Sequence, residues 1–309
     1  MLLIKDPGLQ STLQGAPRLG WRHFGIPYAG AADPLSMALA NHLVGNTVDA
    51  TALEITFGGV SAQVAEDCTV AVTGAGDRIE ISGREAPLHE TLALKAGDAL
   101  TVPPIRNGAR AYLAIASGFQ AQSQFGSTST YLPGQFGGCE GRALIAGDRL
   151  LPNQTTPERL NRVTPLALRP HIGDSYALRA TVSAETDLLS DEAIERLFGG
   201  AFQIGRQATR MGLSLTGQDI TPRSDGMMES APVFPGTIQA PPSGQPFVLL
   251  CDAQTTGGYP RIASIARCDQ HLLGQLRPGN QVQLLRRDFD QALDDDRAKR
   301  ALFAEWLTL

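Results

Sequence analysis

Short apolar runs cut by glycine turns are the feature that most narrows what this chain can fold into. Strand candidates fall at Ala52–Phe57, Ser61–Val64, Thr69–Thr73, Arg78–Ile81, Leu92–Leu94, Ala99–Val102 and Arg110–Ala116. Turn signals separate them, among them Gly58-Gly59, Gly74-Ala75-Gly76, Gly97-Asp98 and Asn107-Gly108. Runs this short bury an apolar face more readily as strands than as helices, and such turns send each strand back beside its predecessor. The chain has 309 residues with 33 glycines and 20 prolines. Turn residues are plentiful throughout, so the expected class is mainly β, as barrels or sandwiches.

Helices are few. In the first half one is predicted over residues 34–44, because Asp33 can cap it, Pro34 suits its first position and Gly45 can end it. A second is expected over residues 190–198 behind Ser190, and a third over about 287–307. Strands are expected between them at Ala201–Ile204, Thr237–Gln239, Phe247–Cys251 and Gln281–Leu285. Residues 152–165 are polar, hold three prolines and read as a linker. The expected division is therefore 1–155 for an N-terminal β-barrel half and 156–309 for a C-terminal one.

Composition removes several function classes. A net charge of -5 argues against nucleic acid or an anionic membrane as the main partner. No run approaches the roughly 20 apolar residues of a membrane span, and MLLIKDPG is too short in its apolar part for a signal peptide. Cys68, Cys139, Cys251 and Cys268 form no CxxC pair and have no histidine at ligand spacing. They read as reduced thiols of a cytoplasmic protein, with no metal site expected. Lysine occurs only at Lys5, Lys95 and Lys299, so there is no P-loop lysine. There is also no G-x-S-x-G elbow and no Met-Lys-Met biotin attachment site. An independent ATPase, a metalloenzyme and a serine hydrolase are disfavoured.

The segment richest in chemistry is Asp252-Ala253-Gln254-Thr255-Thr256-Gly257-Gly258-Tyr259-Pro260, directly after the apolar run PFVLLC. A carboxylate, an amide, two hydroxyls and two glycines gather at one strand end. The glycines allow close approach of backbone N–H groups, which can hold a phosphate or a developing oxyanion. Arg210, in QATRMG, can clamp a carboxylate or phosphate with two donors, or can bond loop carbonyls. Glu54 alternates with apolar neighbours, so it is expected to point inward, where a carboxylate needs a partner or a job. Two polar loops, Ser127–Thr130 and Gly137–Arg142, can cradle a phosphate but read better as plain connections.

These segments together resemble the KipA-like family, also described as allophanate hydrolase subunit 2-like or biotin-dependent carboxyltransferase. The matching stretches are GIPYAGAADPLSMALANHLVGN, ALEITFGG, TGAGDRIEI, RAYLAIASG, FGSTST, GGCEGRALIAGDRL and QATRMGLSLTG. VFPGTIQAPPSGQPFVLLCDAQTTGGYPRIASIARCDQHLLGQLRPG completes them in the family's order. The family's usual opening, T-[VI]-Q-D-x-G-R, reads here Thr12-Leu13-Gln14-Gly15-Ala16-Pro17-Arg18, so no role of its Asp carries over.

The resemblance implies two cyclophilin-like β-barrel halves with a few short helices and a C-terminal helix. For free-standing members of this length it implies one subunit of an ATP-dependent 5-oxoprolinase, which opens 5-oxoproline to glutamate together with PxpA and the KipI-like PxpB. No cofactor is bound covalently, and ATP is used by the complex. In that scheme Arg210 holds the substrate carboxylate or a transferred phosphate, and Asp252 or Glu54 orients or deprotonates water. Tyr28, Asn41, Gln254 and Tyr259 position the ring, and the backbone of Thr255, Thr256, Gly257 and Gly258 stabilises negative charge. Two rivals stand beside this reading: a carboxyltransferase subunit of a urea carboxylase-like enzyme, and a non-enzymatic regulator that binds a KipI-like inhibitor.

Overall fold

The alternation of apolar residues along the first-half strands goes into two sheets that share one core. The structure, a computed structural model, describes residues 1–154, 160–223 and 228–307. The chain divides into two compact units. One comprises Met1–Leu19, Ala29–Ile172 and Phe303–Leu309; the other comprises Gly20–Tyr28 and Gly173–Leu302.

In the first unit a six-stranded sheet runs in the order Arg149–Leu150, Leu2–Pro7, Val60–Val64, Ala99–Val102, Ile79–Ile81, Arg84–Ala86. A five-stranded sheet runs Gln10–Gln14, Ala52–Thr56, Arg110–Ile115, Cys68–Gly74, Leu92–Leu94. Leu2, Ile4, Val60, Val64 and Leu100 of the former meet Leu13, Leu53, Ile55, Val70 and Leu113 of the latter in one buried cluster. Helix α1, Pro34–Leu43, covers the far face of the second sheet, with Met37, Ala40 and Leu43 packed on Ala52, Ala71, Tyr112 and Ala114. This sheet is therefore buried on both faces, which is why Cys68–Gly74 and Arg110–Ile115 show no exposed position. Asp33 caps α1 as expected: its Oδ1 accepts from Ser36 N at 2.9 Å and its Oδ2 from Ser36 Oγ at 2.5 Å.

In the second unit seven strands close into a barrel. Their order is Ser175–Val182, Arg261–Ile265, Thr237–Gln239, Phe247–Leu249, Gly212–Thr216, Ala201–Ala208, Gln281–Arg287. Closure comes from the parallel pairing of Ser175–Val182 with Gln281–Arg287. The inward set includes Tyr176, Leu178, Ala180, Phe202, Ile204, Leu215, Ile238, Ile262 and Leu284. Helix α2, Asp191–Gly199, adds Ala193 and Leu197 to that core. Its Ser190 cap accepts from Ala193 N at 3.1 Å. Helix α3, Phe289–Phe303, starts later than expected because the preceding strand continues to Arg287 in register with Thr181. Among the described residues no helix is long and apolar enough to cross a membrane.

Several strands that the turn signals did not delimit, Leu2–Pro7, Gln10–Gln14, Ser175–Val182, Gly212–Thr216 and Arg261–Ile265 among them, complete this picture. Gln10–Gln14 is polar at every position but Leu13, yet four of its five positions are buried. Ser175–Val182 buries Tyr176, Leu178 and Ala180 in strict alternation, and Arg261–Ile265 follows a proline. Of the expected linker, residues 155–159 lie outside the described residues. Its flanks pair within the first unit, Pro152 with Phe119 and Val163 with Glu90.

One buried group makes the first unit sensitive to acid. His89 sits 6% exposed, and burial first, then nearby Arg169, push its imidazole down to about 4. The folded chain thus keeps His89 neutral where the unfolded chain, titrating near 6.5, binds a proton. Its stabilising share is complete above about pH 6.5 and is lost as pH falls towards 4, by up to about 3 kcal/mol. Urea midpoints measured from pH 7 to 4 are expected to fall along that window. His89→Asn, which tolerates the φ of 62° found there, is expected to flatten the slope; an unchanged slope would show that other groups carry it.

Candidate active site

A buried ion pair fixes the end of the strand that leads into the DAQTTGGYP segment. Arg210, after strand Ala201–Ala208, donates from Nε to Asp252 Oδ2 at 2.8 Å and from Nη2 to Asp252 Oδ1 at 3.0 Å. The two side chains are 5% and 2% exposed. Their backbones are tied too, since Asp252 N donates to Arg210 O at 3.0 Å and Leu250 N to Met211 O at 3.0 Å. The structure therefore brings together two residues that the sequence assigned to separate tasks, and it joins them to each other.

Beyond Asp252 the chain is held from both sides. Thr256-Gly257 pairs antiparallel with Ala231-Pro232. The Thr255 carbonyl accepts from Val233 N at 3.1 Å and the Gly258 carbonyl from Met228 N at 2.8 Å. Gln239, 2% exposed on strand Thr237–Gln239, lies beneath: its Nε2 donates to the Tyr259 carbonyl at 3.0 Å and its Oε1 accepts from Gln254 Nε2 at 3.3 Å. A Cβ on Gly257 would stand 2.7 Å from Gln239 Nε2, so this glycine answers to close approach. Gln254, Thr256 and Tyr259 face outward, and Thr255, Gly257 and Gly258 are half-buried.

Residues Gly20–Tyr28 belong to this same unit and bring a further cation to the segment. The Arg22 guanidinium lies 4.6 Å from the Tyr28 ring centroid and 4.8 Å from that of Phe234. Its Nη2 donates to the carbonyls of Val233 and Thr255. Burial pushes the Arg22 pKa below its ordinary value, while the Tyr28 hydroxyl opposes this. Tyr28 is thus linked to the segment through Arg22. Arg22, Phe234 and Gln239 are the residues that the sequence reading missed. Gln239 carried a faint signal, a polar residue between Ile238 and Ala240 on an apolar strand; Arg22 carried none.

Glu54 and Asn41 belong to the first unit. Glu54 is 1% exposed; its Oε2 accepts from Ala32 N at 2.9 Å and Tyr112 Oη at 2.8 Å, and its Oε1 lies 3.3 Å from Arg110 Nε. Tyr112 Oη in turn accepts from Asp33 N at 2.7 Å. Burial, with the Glu54 and Asp33 carboxylates, pushes the Tyr112 phenol well above its ordinary range. The network thus fixes the backbone that delivers Asp33 to its capping position. Asn41 is fully buried: its Nδ2 donates to Ala50 O at 2.8 Å and its Oδ1 accepts from Asn46 Nδ2 at 2.9 Å.

The polar loops serve the frame of the first unit. Thr130 Oγ1 donates to Leu13 O, Ser127 Oγ to Ala16 O, and Gly15 N donates to Ser129 Oγ. Arg18, fully buried, donates to Gln124 O and Ser129 O. The Gly137–Arg142 loop borders a cavity of about 730 Å3 lined by Gln122, Gln135, Cys139, Glu140, Arg142 and Asp148, among others. None of the expected site residues lines it. Arg142 is committed to Asp148 at 2.7 and 2.9 Å.

Comparison with known proteins places the chain in a family. A family profile described as "Carboxyltransferase domain, subdomain A and B" matches residues 24–286. The chain is 37% identical to the 5-oxoprolinase C subunit of Escherichia coli (strain K12), over 95% of this chain and 93% of that protein. The solved structure of the K. lactis urea amidolyase superposes with a TM-score of 0.93 at 26% identity, covering 99% of this chain and 20% of that one. The solved TTHA0988 chain superposes with a TM-score of 0.82 at 33% identity, covering 92% of this chain. The chain thus spans about half of TTHA0988 (55%) and a fifth of the amidolyase.

The Arg210–Asp252 pair can be tested apart from any activity. Removing one partner of a buried pair strands the other, at a cost of about 3–5 kcal/mol. Arg210→Ala and Asp252→Ala are each expected to lower stability by that order in urea unfolding. The double variant is expected to cost clearly less than the sum. Additive losses would show that the two side chains are energetically independent.

Proposed function

The chain belongs to the family of carboxyltransferase domains, subdomains A and B, and we propose that it works as the C subunit of an ATP-dependent 5-oxoprolinase. In this reading it opens 5-oxo-L-proline to L-glutamate within a complex with PxpA and a KipI-like PxpB. The observation that carries the proposal is the match to the Escherichia coli protein along nearly all of both chains. The urea carboxylase reading draws on a likeness in which this chain is only a fifth of the partner, so it ranks second.

A five-membered lactam is a stable amide, and ATP supplies activation by phosphorylating its oxygen. Water then adds to the activated carbon, the ring C–N bond breaks as its nitrogen takes a proton, and a second water hydrolyses the resulting acyl phosphate to glutamate and phosphate. The lysines of this chain support assigning ATP to its partners. Lys95 is paired with Asp67 at 2.7 Å, Lys299 donates to Cys268 O at 2.6 Å and contacts His271, and Lys5 is an exposed strand residue. All four cysteines are free thiols, which suits a cytoplasmic complex.

Within the scheme this chain holds and orients. Gln239 and the strand Ala231-Pro232 set the course of Thr255–Tyr259, from which Gln254, Thr256 and Tyr259 face outward to meet the ring. Tyr28 flanks the segment through Arg22. Asp252 and Glu54 already accept from several donors, so their role is orientation, Asp252 through Arg210 and Glu54 through the backbone before α1. Asn41 contributes by fixing the loop that follows α1.

The test is ATP-dependent glutamate release from 5-oxoproline by the purified chain with PxpA and PxpB, omitting each in turn. Activity that vanishes when this chain is withheld is the expected result. A folded, complete set that releases no glutamate, yet carboxylates urea when given carboxybiotin, would replace this reading with the carboxyltransferase one.

A further inference from the structure

We propose that Arg22 is the oxyanion-binding residue of the second unit, taking a carboxylate or phosphate group of the ligand held at Thr255–Tyr259. This deepens the functional reading above and, for the identity of the ligand, rests on it. The sequence pointed instead to Arg210. Arg210, however, is buried, and its Nε and Nη2 both serve Asp252, so its charge is already balanced in place.

Arg22 differs in each respect that matters for binding an anion. It is half-exposed, and no carboxylate of the described residues pairs with it. Both of its hydrogen bonds leave from Nη2, to two neutral carbonyls, Val233 O and Thr255 O. Its Nε–H and the two N–H groups of Nη1 make no hydrogen bond to any described residue. Two aromatic rings, of Tyr28 and Phe234, hold the guanidinium plane at 4.6 and 4.8 Å. Those rings and the burial around them take part of the guanidinium out of water, and a partly desolvated guanidinium gains more from an oxyanion than a hydrated one. The lowered pKa, caused first by burial, agrees with a cation short of countercharge.

Position gives the second argument. The Thr255 carbonyl that Arg22 grips opens the stretch with outward-facing Thr256 and Tyr259. A ligand meeting Thr256 lies one residue along the chain from the guanidinium's anchor, and one meeting Tyr259 lies four. The ring of 5-oxoproline carries one carboxylate and one neutral amide, so one cation beside hydroxyls and a side-chain amide matches its polar groups. Phosphate is the other oxyanion that the open N–H groups can take.

The experiment separates these sources and separates the proposal from the functional reading. Calorimetry on the full chain uses 5-oxo-L-proline, its neutral analogue 2-pyrrolidinone and inorganic phosphate, with wild type, Arg22→Gln and Arg22→Lys, thermal unfolding being followed in parallel. Loss of a charge-assisted hydrogen bond is expected to weaken anion binding about tenfold to a hundredfold in Arg22→Gln. Arg22→Lys is expected to restore part of it, and the neutral lactam is expected to bind every variant alike. Preference for 5-oxoproline over phosphate assigns the residue to the substrate carboxylate, and the reverse preference to a phosphate. Equal loss of the neutral and charged lactams, equal anion binding by wild type and Arg22→Gln, or no anion binding by wild type would each overturn the proposal. Failure of the glutamate-release assay alongside an Arg22-dependent anion affinity would overturn only the 5-oxoprolinase reading.

Discussion

A carboxylate and a guanidinium withdrawn from water must find each other, and the second unit is arranged around one such pair. Arg210 and Asp252 occupy neighbouring strand ends, and each is worth burying only because the other is there. Two donors to two oxygens fix angle as well as distance. The chain after Asp252 therefore starts from a defined point. From there the pairing with Ala231-Pro232 and the amide of Gln239 can hold Thr255–Tyr259 without any helix or long strand of its own. The same pair explains why a segment so rich in polar groups does not simply fray into solvent.

The first unit meets the same constraint differently. Glu54 stands in a sheet buried on both faces, and its charge is spread over Arg110, the Tyr112 hydroxyl and the Ala32 N–H. Because two of those links reach the backbone before α1, the carboxylate positions a helix start as well as satisfying itself. Asp33 then caps that helix. A network of this kind gains from low surrounding polarity when complete and loses heavily when any member is missing. Asn41 and Asn46 repeat the device at the other end of α1, bonding Ala50 O and Ile115 O in place of a water shell.

How much of this could be read beforehand follows from what a local pattern records. The caps Asp33 and Ser190 act on N–H groups three residues away, so both were visible in sequence and both are found. Strands bounded by glycine turns, such as Leu92–Leu94 and Ala99–Val102, were visible for the same reason. Gln10–Gln14 was not, because its polar residues are buried by partners more than 100 positions away, Thr130 among them. In the site, the DAQTTGGYP segment stood out by composition, and Tyr28 by the motif that contains it. That Arg210 and Asp252 serve each other could not be read, since nothing in a sequence says which carboxylate a guanidinium will meet. Gln239 and Arg22 were hidden likewise: their importance lies in contacts with Tyr259, Gln254 and Thr255, made across the barrel wall or from more than 230 residues away.

With three lysines in 309 residues, this chain does its cationic work almost wholly with arginine, and geometry divides that work. Arg18 is fully buried and bonds carbonyls of the loop beside it. Arg110 and Arg210 are buried against carboxylates. In these settings a flat, always-charged fork fixes backbone and sheet ends with more directional control than an ammonium gives. Arg22 uses the same fork incompletely. One nitrogen anchors it to two carbonyls, two rings hold its plane, and the remaining donors stay at the surface. An arginine buried against carbonyls or a carboxylate has become part of the frame. One that is rigidly held with donors to spare is prepared to meet something that comes and goes, and that difference, rather than residue type or motif, separates scaffold from site in this fold.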